Sequence, residues 1–456
     1  MRLDFSSVPL QEQAHSELPI TSIGARPREV LSAIVDLVAI ETGNRTAREH
    51  WQYQQVHHLL VHAARRSPQW RGRIGPPKKR GMRLSDVPPQ TRADVIRQFE
   101  GEGSLMRPGE TGAVSKNSTS GSTGKPVHFF QTIRNGQYNV VRNLAQYFLE
   151  GRDISLNRTR FRARQITQEP GFTSKKTDSW LGPLTTMLKS GSNKDVDYFR
   201  PNIDALCDEL MRDPIGYLVA QPRLLDIVLQ RVEPEFFKRA GTAMMIFVSE
   251  AMDPKIRDAF SAVGIPMRGT YSSEEVGLIA SECDKCPGNY HVATSNVIVE
   301  VLQDKTVQLE NRSAGRVLLT HLHSYATPFI RYDIGDFATL DECCPCGHDG
   351  PALSNIYGRS KSLLKHADGR LTPFFPRGKE FNAVAAFDEY RIRQIDLQTL
   401  VLEIGGRTSL SQEEHAAFGA LMKLHAGEDF TIKIETAAEI DWGHSIKRPG
   451  FSSDVL

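Results

Sequence analysis

No apolar run in this sequence approaches the length of a membrane span. A marked excess of either charge is missing too. The formal net charge is +2 over 456 residues, which gives no case for a nucleic-acid groove or a membrane-binding surface. The opening Met1-Arg2-Leu3-Asp4-Phe5 lacks the charged-then-apolar pattern of a signal peptide, so the expected compartment is cytoplasmic. Cysteine is scarce at six, yet five fall between Cys283 and Cys346. In a reducing compartment such clustering points to a metal before a disulfide. Internal repeats and low-complexity tracts are also absent. What is present is a chain with 39% hydrophobic residues, long enough for a large core and for two or more domains.

Residues 1–28 carry scattered Pro, Ser and Gln without a period and read as an N-terminal arm. Val30, Ile34, Leu37 and Val38, then Val56, Leu59, Leu60 and Ala63, recur at helical spacing. Arg65-Arg66-Ser67-Pro68 closes that stretch, and the basic run Lys78-Lys79-Arg80 reads as a solvated loop. A helix is expected over 135–149, and Arg158, Arg160, Arg162 and Arg164 alternate along a strand. From Pro201 a βα rhythm sets in: helix near 202–212, strand 216–220, helix near 222–232, strand 243–248, helix 253–263. Alternation of this kind predicts a mostly parallel sheet covered by helices, with ligands at the carboxyl ends of its strands. That rule singles out Ser249-Glu250-Ala251 and Thr270-Tyr271-Ser272-Ser273-Glu274-Glu275. Residues 292–340 read as a β-rich subdomain. Beyond 361, strands at 395–398, 400–403 and 430–434 with a helix at 411–425 suggest a small α+β module. The predicted class is α/β, with a large domain over 29–360 and a small C-terminal one over 361–456.

The chemistry concentrates in Asn117-Ser118-Thr119-Ser120-Gly121-Ser122-Thr123-Gly124-Lys125-Pro126. Glycines let backbone N–H groups approach a ligand, hydroxyls add donors, and lysine adds a mobile charge. This is polyphosphate-cradle chemistry. A flexible Ser/Gly linker is the plainer reading of such a run. The lysine, Pro126 and the apolar residues that follow favour a loop between strands. The motif is not a Walker A loop: Thr119 stands where the first Gly belongs, and Pro126 replaces the Mg²⁺-binding Ser/Thr.

Three further signals follow in order: Tyr271-Ser272-Ser273-Glu274-Glu275-Val276-Gly277, Thr327-Pro328-Phe329-Ile330-Arg331-Tyr332-Asp333-Ile334-Gly335-Asp336, and Tyr357-Gly358-Arg359-Ser360. With the cradle they resemble the adenylate-forming superfamily, the acyl-CoA synthetases and their relatives, over about residues 50–364. Arg331 to Asp336, with Cys344-Pro345-Cys346-Gly347 just after, looks most like the phenylacetate–CoA ligase branch. The resemblance implies an ATP-dependent ligase that activates a carboxylic acid, aromatic ones suiting the branch, as its acyl-adenylate with release of pyrophosphate. The acyl group then passes to coenzyme A, a carrier-protein thiol, an amine or a hydroxyl.

In that scheme Thr119, Ser120, Gly121, Ser122, Thr123, Gly124 and Lys125 neutralise the departing pyrophosphate. Glu275 holds Mg²⁺, and Asp336 accepts hydrogen bonds from the ribose. Arg359 contacts ribose or phosphate, Tyr271 belongs to the nucleotide site, and Ser249-Glu250-Ala251 forms the adenine loop. The C-terminal module is expected to be mobile and to bring up a catalytic lysine, for which Lys447 is the candidate. Ser272 and Glu274 depart from the family's usual Gly and Ser/Thr, and 366–370 lacks the pattern of thioester-forming members. The pattern at 366–370 weakens coenzyme A as the acceptor. Two alternatives stand: adenylation of a different oxyanion within the same fold or, from the altered Tyr271–Glu275 and lysine motifs, a nucleotide-binding homologue without turnover.

The cysteines form a second constellation. Spacing alone pairs the knuckles Cys283-Asp284-Lys285-Cys286 and Cys343-Cys344-Pro345-Cys346 and favours Cys283, Cys286, Cys343 and Cys346 as a Zn²⁺ site. The resemblance favours Cys283, His291, Cys344 and Cys346. Either set is closed, which implies a structural metal. The acid pocket is expected within 151–250, where Phe172, Trp180, Tyr217 and the arginine-rich strand stand.

Overall fold

The computed structural model describes residues 25–76, 83–106, 113–119, 126–163, 171–199, 202–303, 308–309, 313–442 and 448–455. A twelve-stranded sheet dominates. In spatial order its strands are Val297–Leu302, Gly315–His321, Tyr332–Asp341, Ala352–Arg359, Tyr290–Val292, Gly277–Glu282, Met267–Ser273, Thr242–Val248, Gly216–Ala220, Arg158–Ala163, Asn193–Phe199 and Gly171–Thr177. The run from Met267–Ser273 to Asn193–Phe199 is parallel. Every other pair is antiparallel. The β-rich stretch expected as a subdomain therefore extends the parallel sheet edge to edge.

Apolar residues decide these positions. Met245 and Phe247 pack with Leu218, Phe237, Phe260 and Met267 into a core beneath the parallel strands, as expected for strands covered by helices. Helix Ile133–Leu149 starts at Thr132, whose hydroxyl accepts from Asn135 N at 3.1 Å. It buries Val141, Leu144 and Ala145 in a cluster with Val30, Ile34 and Leu37 of helix Ala25–Thr42. That helix begins inside the stretch 1–28 expected as an arm. The opposite face of Ile133–Leu149 carries Asn139, Asn143, Gln146 and Tyr147 toward a cavity, a spacing that aligns them on one helix side.

The C-terminal part has its own core of Phe381, Tyr390, Ile392, Leu402, Phe418 and Met422. Its four-stranded sheet runs Thr431–Ala437, Thr399–Gly405, Glu389–Gln394 and Phe451–Ser453. Helix Gln412–Ala426 opens on a reciprocal capping box between Ser411 and Glu414. The strand expected at 395–398 is instead the turn that follows Glu389–Gln394. Asp396 Oδ1 accepts from Gln398 N at 2.8 Å, and Ile395 and Leu397 are exposed. A local Asx turn outcompetes the apolar alternation there. Among the described residues no helix is long and apolar enough to cross a membrane.

Candidate active site

A cavity of about 1340 Å³ opens beside the ends of the parallel strands, with residues 373–377, Tyr390 and 449–452 of the C-terminal part closing its far side. It is lined by Thr119, Ser249, Glu250, Tyr271, Glu275, Asp336 and Arg359. The sequence named these residues from five separate stretches, and the sheet brings them together.

Register does much of this work. Asp336 and Arg359 face each other across neighbouring strands, with Arg359 Nε 4.0 Å from Asp336 Oδ1. Tyr271 donates its hydroxyl to Asp336 Oδ2 at 2.7 Å. Burial pushes the Asp336 carboxyl above its ordinary range, and the nearby Glu275 adds to the shift. The Tyr271 phenol is raised for the same reasons, burial first and then Asp336. Glu275 is 5% exposed, and its Oε1 accepts from the Tyr332 hydroxyl at 3.4 Å. Two neighbouring buried carboxylates, with a single arginine at the edge of contact, form a site that favours a cation. Tyr332 was visible only as a motif letter; its role emerges from its position under Glu275.

Strands Val114–Ser118 and His128–Thr132 pair antiparallel, with Ser118 opposite His128. Thr119 N donates to Val127 O at 3.0 Å, and Thr119 Oγ1 accepts from Val127 N at 3.0 Å. Thr119 and Val127 thus carry the antiparallel pairing one step further. Ser120, Gly121, Ser122, Thr123, Gly124 and Lys125 lie outside the described residues, as does Lys447. Ser249 has φ 72, in the left-handed region that non-glycine residues seldom occupy. Glu250 Oε2 accepts from Arg223 N at 3.1 Å, at the start of helix Pro222–Val228.

Sequence reading missed the joint between the two parts. Arg223 Nη1 binds Asp226 at 2.9 Å, Nη2 donates to Tyr390 O at 3.1 Å, and the guanidinium lies 4.1 Å from the Tyr390 ring centroid. Asp226 accepts from Gly378 N at 2.9 Å and from the Tyr390 hydroxyl at 3.1 Å. These residues lie up to 167 positions apart, so no local signal announced them. Trp180 and Tyr217 stand behind the cavity wall as an edge-on pair, whereas Phe172 packs on the core below the sheet.

Cys283, His291, Cys344 and Cys346 bring their ligand atoms within 4.8 Å of one another. Tetrahedral Zn²⁺ with thiolates at about 2.3 Å sets sulfurs about 3.8 Å apart, so the group fits with small adjustment. Cys346 Sγ is 3.3 Å from His291 Nε2, and the His348 ring stacks on His291 at 4.1 Å. Burial pushes the Cys344 thiol up to about 12. Burial and then His348 bring His291 down to about 4, which keeps its imidazole neutral. Cys286 and the exposed Cys343 stand outside this group, contrary to the set that spacing alone favoured. The short strand Tyr290–Val292 inserts between Gly277–Glu282 and Ala352–Arg359 and carries His291 to the cluster.

The fold is that of the adenylate-forming enzymes. A 2-hydroxyisobutyryl-CoA ligase in the postadenylation state, in complex with R3-HIB-AMP, aligns with TM-score 0.60 over 91% of both chains at 15% identity. A GH3.15 acyl acid amido synthetase aligns with TM-score 0.52 over 93% of both chains at 13% identity. Among curated proteins, Protein CapK of Staphylococcus aureus is 24% identical over 259 residues, 55% of this chain and 54% of that protein. The match therefore spans about half the length of the curated relative. No protein-family model matches the chain.

Proposed function

We propose that the chain is an ATP-dependent ligase in which a carboxylic acid attacks the α-phosphate of ATP, pyrophosphate leaves, and the acyl-adenylate passes its acyl group to an acceptor. The observation that carries this reading is the convergence of Tyr271, Glu275, Asp336, Arg359 and the cradle base Thr119 on one cavity. The fold shared with an acid–CoA ligase and an amido synthetase supports it.

In this mechanism Asp336, oriented by Tyr271, accepts from the ribose hydroxyls. Arg359 offsets charge at the ribose or phosphate, and Ser249-Glu250-Ala251 lies along the adenine. Ser120, Gly121, Ser122, Thr123, Gly124 and Lys125 line the pyrophosphate, whose developing charge needs preorganised donors. Glu275 would hold Mg²⁺, a hard cation suited to carboxylate oxygen, which would supply charge neutralisation there. Cys283, His291, Cys344 and Cys346 would hold a structural Zn²⁺. The Arg-Tyr-Asp-Ile-Gly-Asp run followed by Cys-Pro-Cys-Gly supports a place in the phenylacetate–CoA ligase-like branch.

Residues 29–360 then form the nucleotide-binding domain. Residues 361–456 form a mobile module that brings Lys447 to the reacting carboxylate. The acceptor is coenzyme A, a carrier thiol or an amine, and the reaction is cytoplasmic. ATP–pyrophosphate exchange against a panel of carboxylic acids tests the proposal. Exchange with at least one acid is expected, and Lys447→Ala should lower it at least about 100-fold while sparing ATP binding. Tight ATP binding with no exchange for any acid would overturn the reading in favour of a homologue without turnover.

A further inference from the structure

Seven arginines line the cavity, and six of them are spoken for. Arg152 pairs with Glu150. Arg160 binds Asp195 through Nε at 3.0 Å and Nη2 at 2.9 Å. Arg223 holds Asp226 and Arg257 holds Glu282, both at 2.9 Å. Arg377 lies 3.7 Å from Asp253, and Arg359 lies 4.0 Å from Asp336.

Arg158 differs: no carboxylate meets it among the described residues. Its Nε donates to Asn193 Oδ1 at 2.9 Å and its Nη1 to the Tyr147 hydroxyl at 3.2 Å. The guanidinium lies 5.4 Å from the Trp180 ring centroid. These holders are themselves fixed. Trp180 donates Nε1 to Leu156 O at 2.9 Å and packs edge-on against Tyr147 at 5.1 Å. All three partners are neutral, so they fix the orientation of the guanidinium and leave its charge uncancelled. The terminal Nη1/Nη2 fork keeps N–H groups to spare, in the geometry that meets a carboxylate with two parallel hydrogen bonds. Holding a half-buried cation without a counter-ion is costly unless a ligand supplies the anion.

The neighbouring wall agrees. The helix face over the cavity presents Asn139, Asn143 and Gln146 rather than hydrocarbon, and the exposed Asn143 amide has no protein partner among the described residues. Asn139 accepts from Arg142 at 2.8 Å and Gln146 donates to Glu150 at 2.9 Å, so it is the Asn143 amide that a plain aromatic or aliphatic acid would leave unmatched. The strand of Arg158 also lies three strands from that of Tyr271, about 14 Å at ordinary strand spacing. The anion that Arg158 receives is therefore well separated from the reacting end.

We infer that the acid substrate carries a second carboxylate, remote from the one that is adenylated, and that Arg158 binds it. This rests on the adenylation reading above. The test is pyrophosphate exchange with acids matched in length that end in either a carboxylate or an uncharged amide, for wild type, Arg158→Gln and Arg158→Lys. For wild type the diacid should exceed its half-amide in kcat/KM by roughly 30-fold or more. Arg158→Gln should lower the diacid value about 100-fold, leave the half-amide and the KM for ATP unchanged, and be partly rescued by Arg158→Lys. A wild-type enzyme that prefers uncharged tails would overturn the inference without any variant. So would an equal loss on both acids, or a raised KM for ATP, which would make Arg158 a nucleotide contact. Exchange with no acid at all would instead overturn the adenylation reading, and this inference with it.

Discussion

The two ends of one six-residue strand, Gly277–Glu282, are built on opposite principles. Just before it stands Glu275, buried beside Asp336 with the open cavity in front of both. Just after it stands Cys283, facing His291, Cys344 and Cys346. The Cys/His end turns its ligand atoms toward one another, within 4.8 Å, a closed arrangement that leaves no position open to a substrate. The carboxylate end keeps two acidic groups adjacent at a cavity wall, held by the Tyr271 and Tyr332 hydroxyls. Such a site costs stability and gains a ligand's affinity in return. The difference teaches which end to associate with folding and which with reaction.

Substitutions can break or sharpen that contrast. The largest effect is expected at the closed end. Cys283→Ser should lower folding stability by about 3 kcal/mol or more, read as a fall in Tm together with loss of bound zinc, while exchange per folded molecule persists. Intact stability and zinc content would erase the contrast. Asp336→Asn should do the reverse and cut exchange about 100-fold. Burial raises the folded pKa of Asp336 above its ordinary 3.8. Its contribution is therefore favourable below that value and is lost as pH rises through the folded pKa. At neutral pH the Asn variant should be at least as stable as wild type by thermal melting. Tyr271→Phe removes only the 2.7 Å hydrogen bond that orients Asp336, so a rise in KM for ATP of about 5- to 10-fold is expected.

An ion cluster belonging to neither end sets the baseline. The Asp213 carboxyl is drawn down to about 2 by hydrogen bonds from Lys176 and Lys194. Its stabilisation is present above the ordinary carboxylate value and is lost as pH falls through about 2. Asp213→Asn should cost less than about 1 kcal/mol, given the solvent screening. The difference from wild type in denaturant melts should vanish toward that pH.

Much of this was legible in the sequence where physical signals are local. The apolar run Met244-Met245-Ile246-Phe247-Val248 and the amphipathic stretch over 135–149 declared their elements directly. The residues of four short motifs reappear around one cavity. The misses have physical causes. Strand Glu389–Gln394 went unassigned: its Arg391 and Arg393, both bound by Glu403 on the neighbouring strand, alternate with the buried Tyr390 and Ile392. Ile395 and Leu397 looked like a strand because apolar alternation was weighed above the Asx turn at Asp396. The alternating arginines from Arg158 onward were plain. That Arg160 and Arg162 are bound by Asp195 and Asp197, leaving Arg158 with only neutral partners, depends on the register of strands some 35 residues apart.

The central claim is that the acid is activated by bonding to the α-phosphate of ATP in this cavity. A single-turnover reaction with acid labelled with oxygen-18 in its carboxylate tests it most directly, with mass spectrometry of the nucleotide released after acyl transfer. The account predicts that label appears in AMP, because the carboxylate oxygen that attacks phosphorus stays with the nucleotide when the acyl group departs. Label in inorganic phosphate with release of ADP, or unlabelled AMP alongside acyl product, would contradict it.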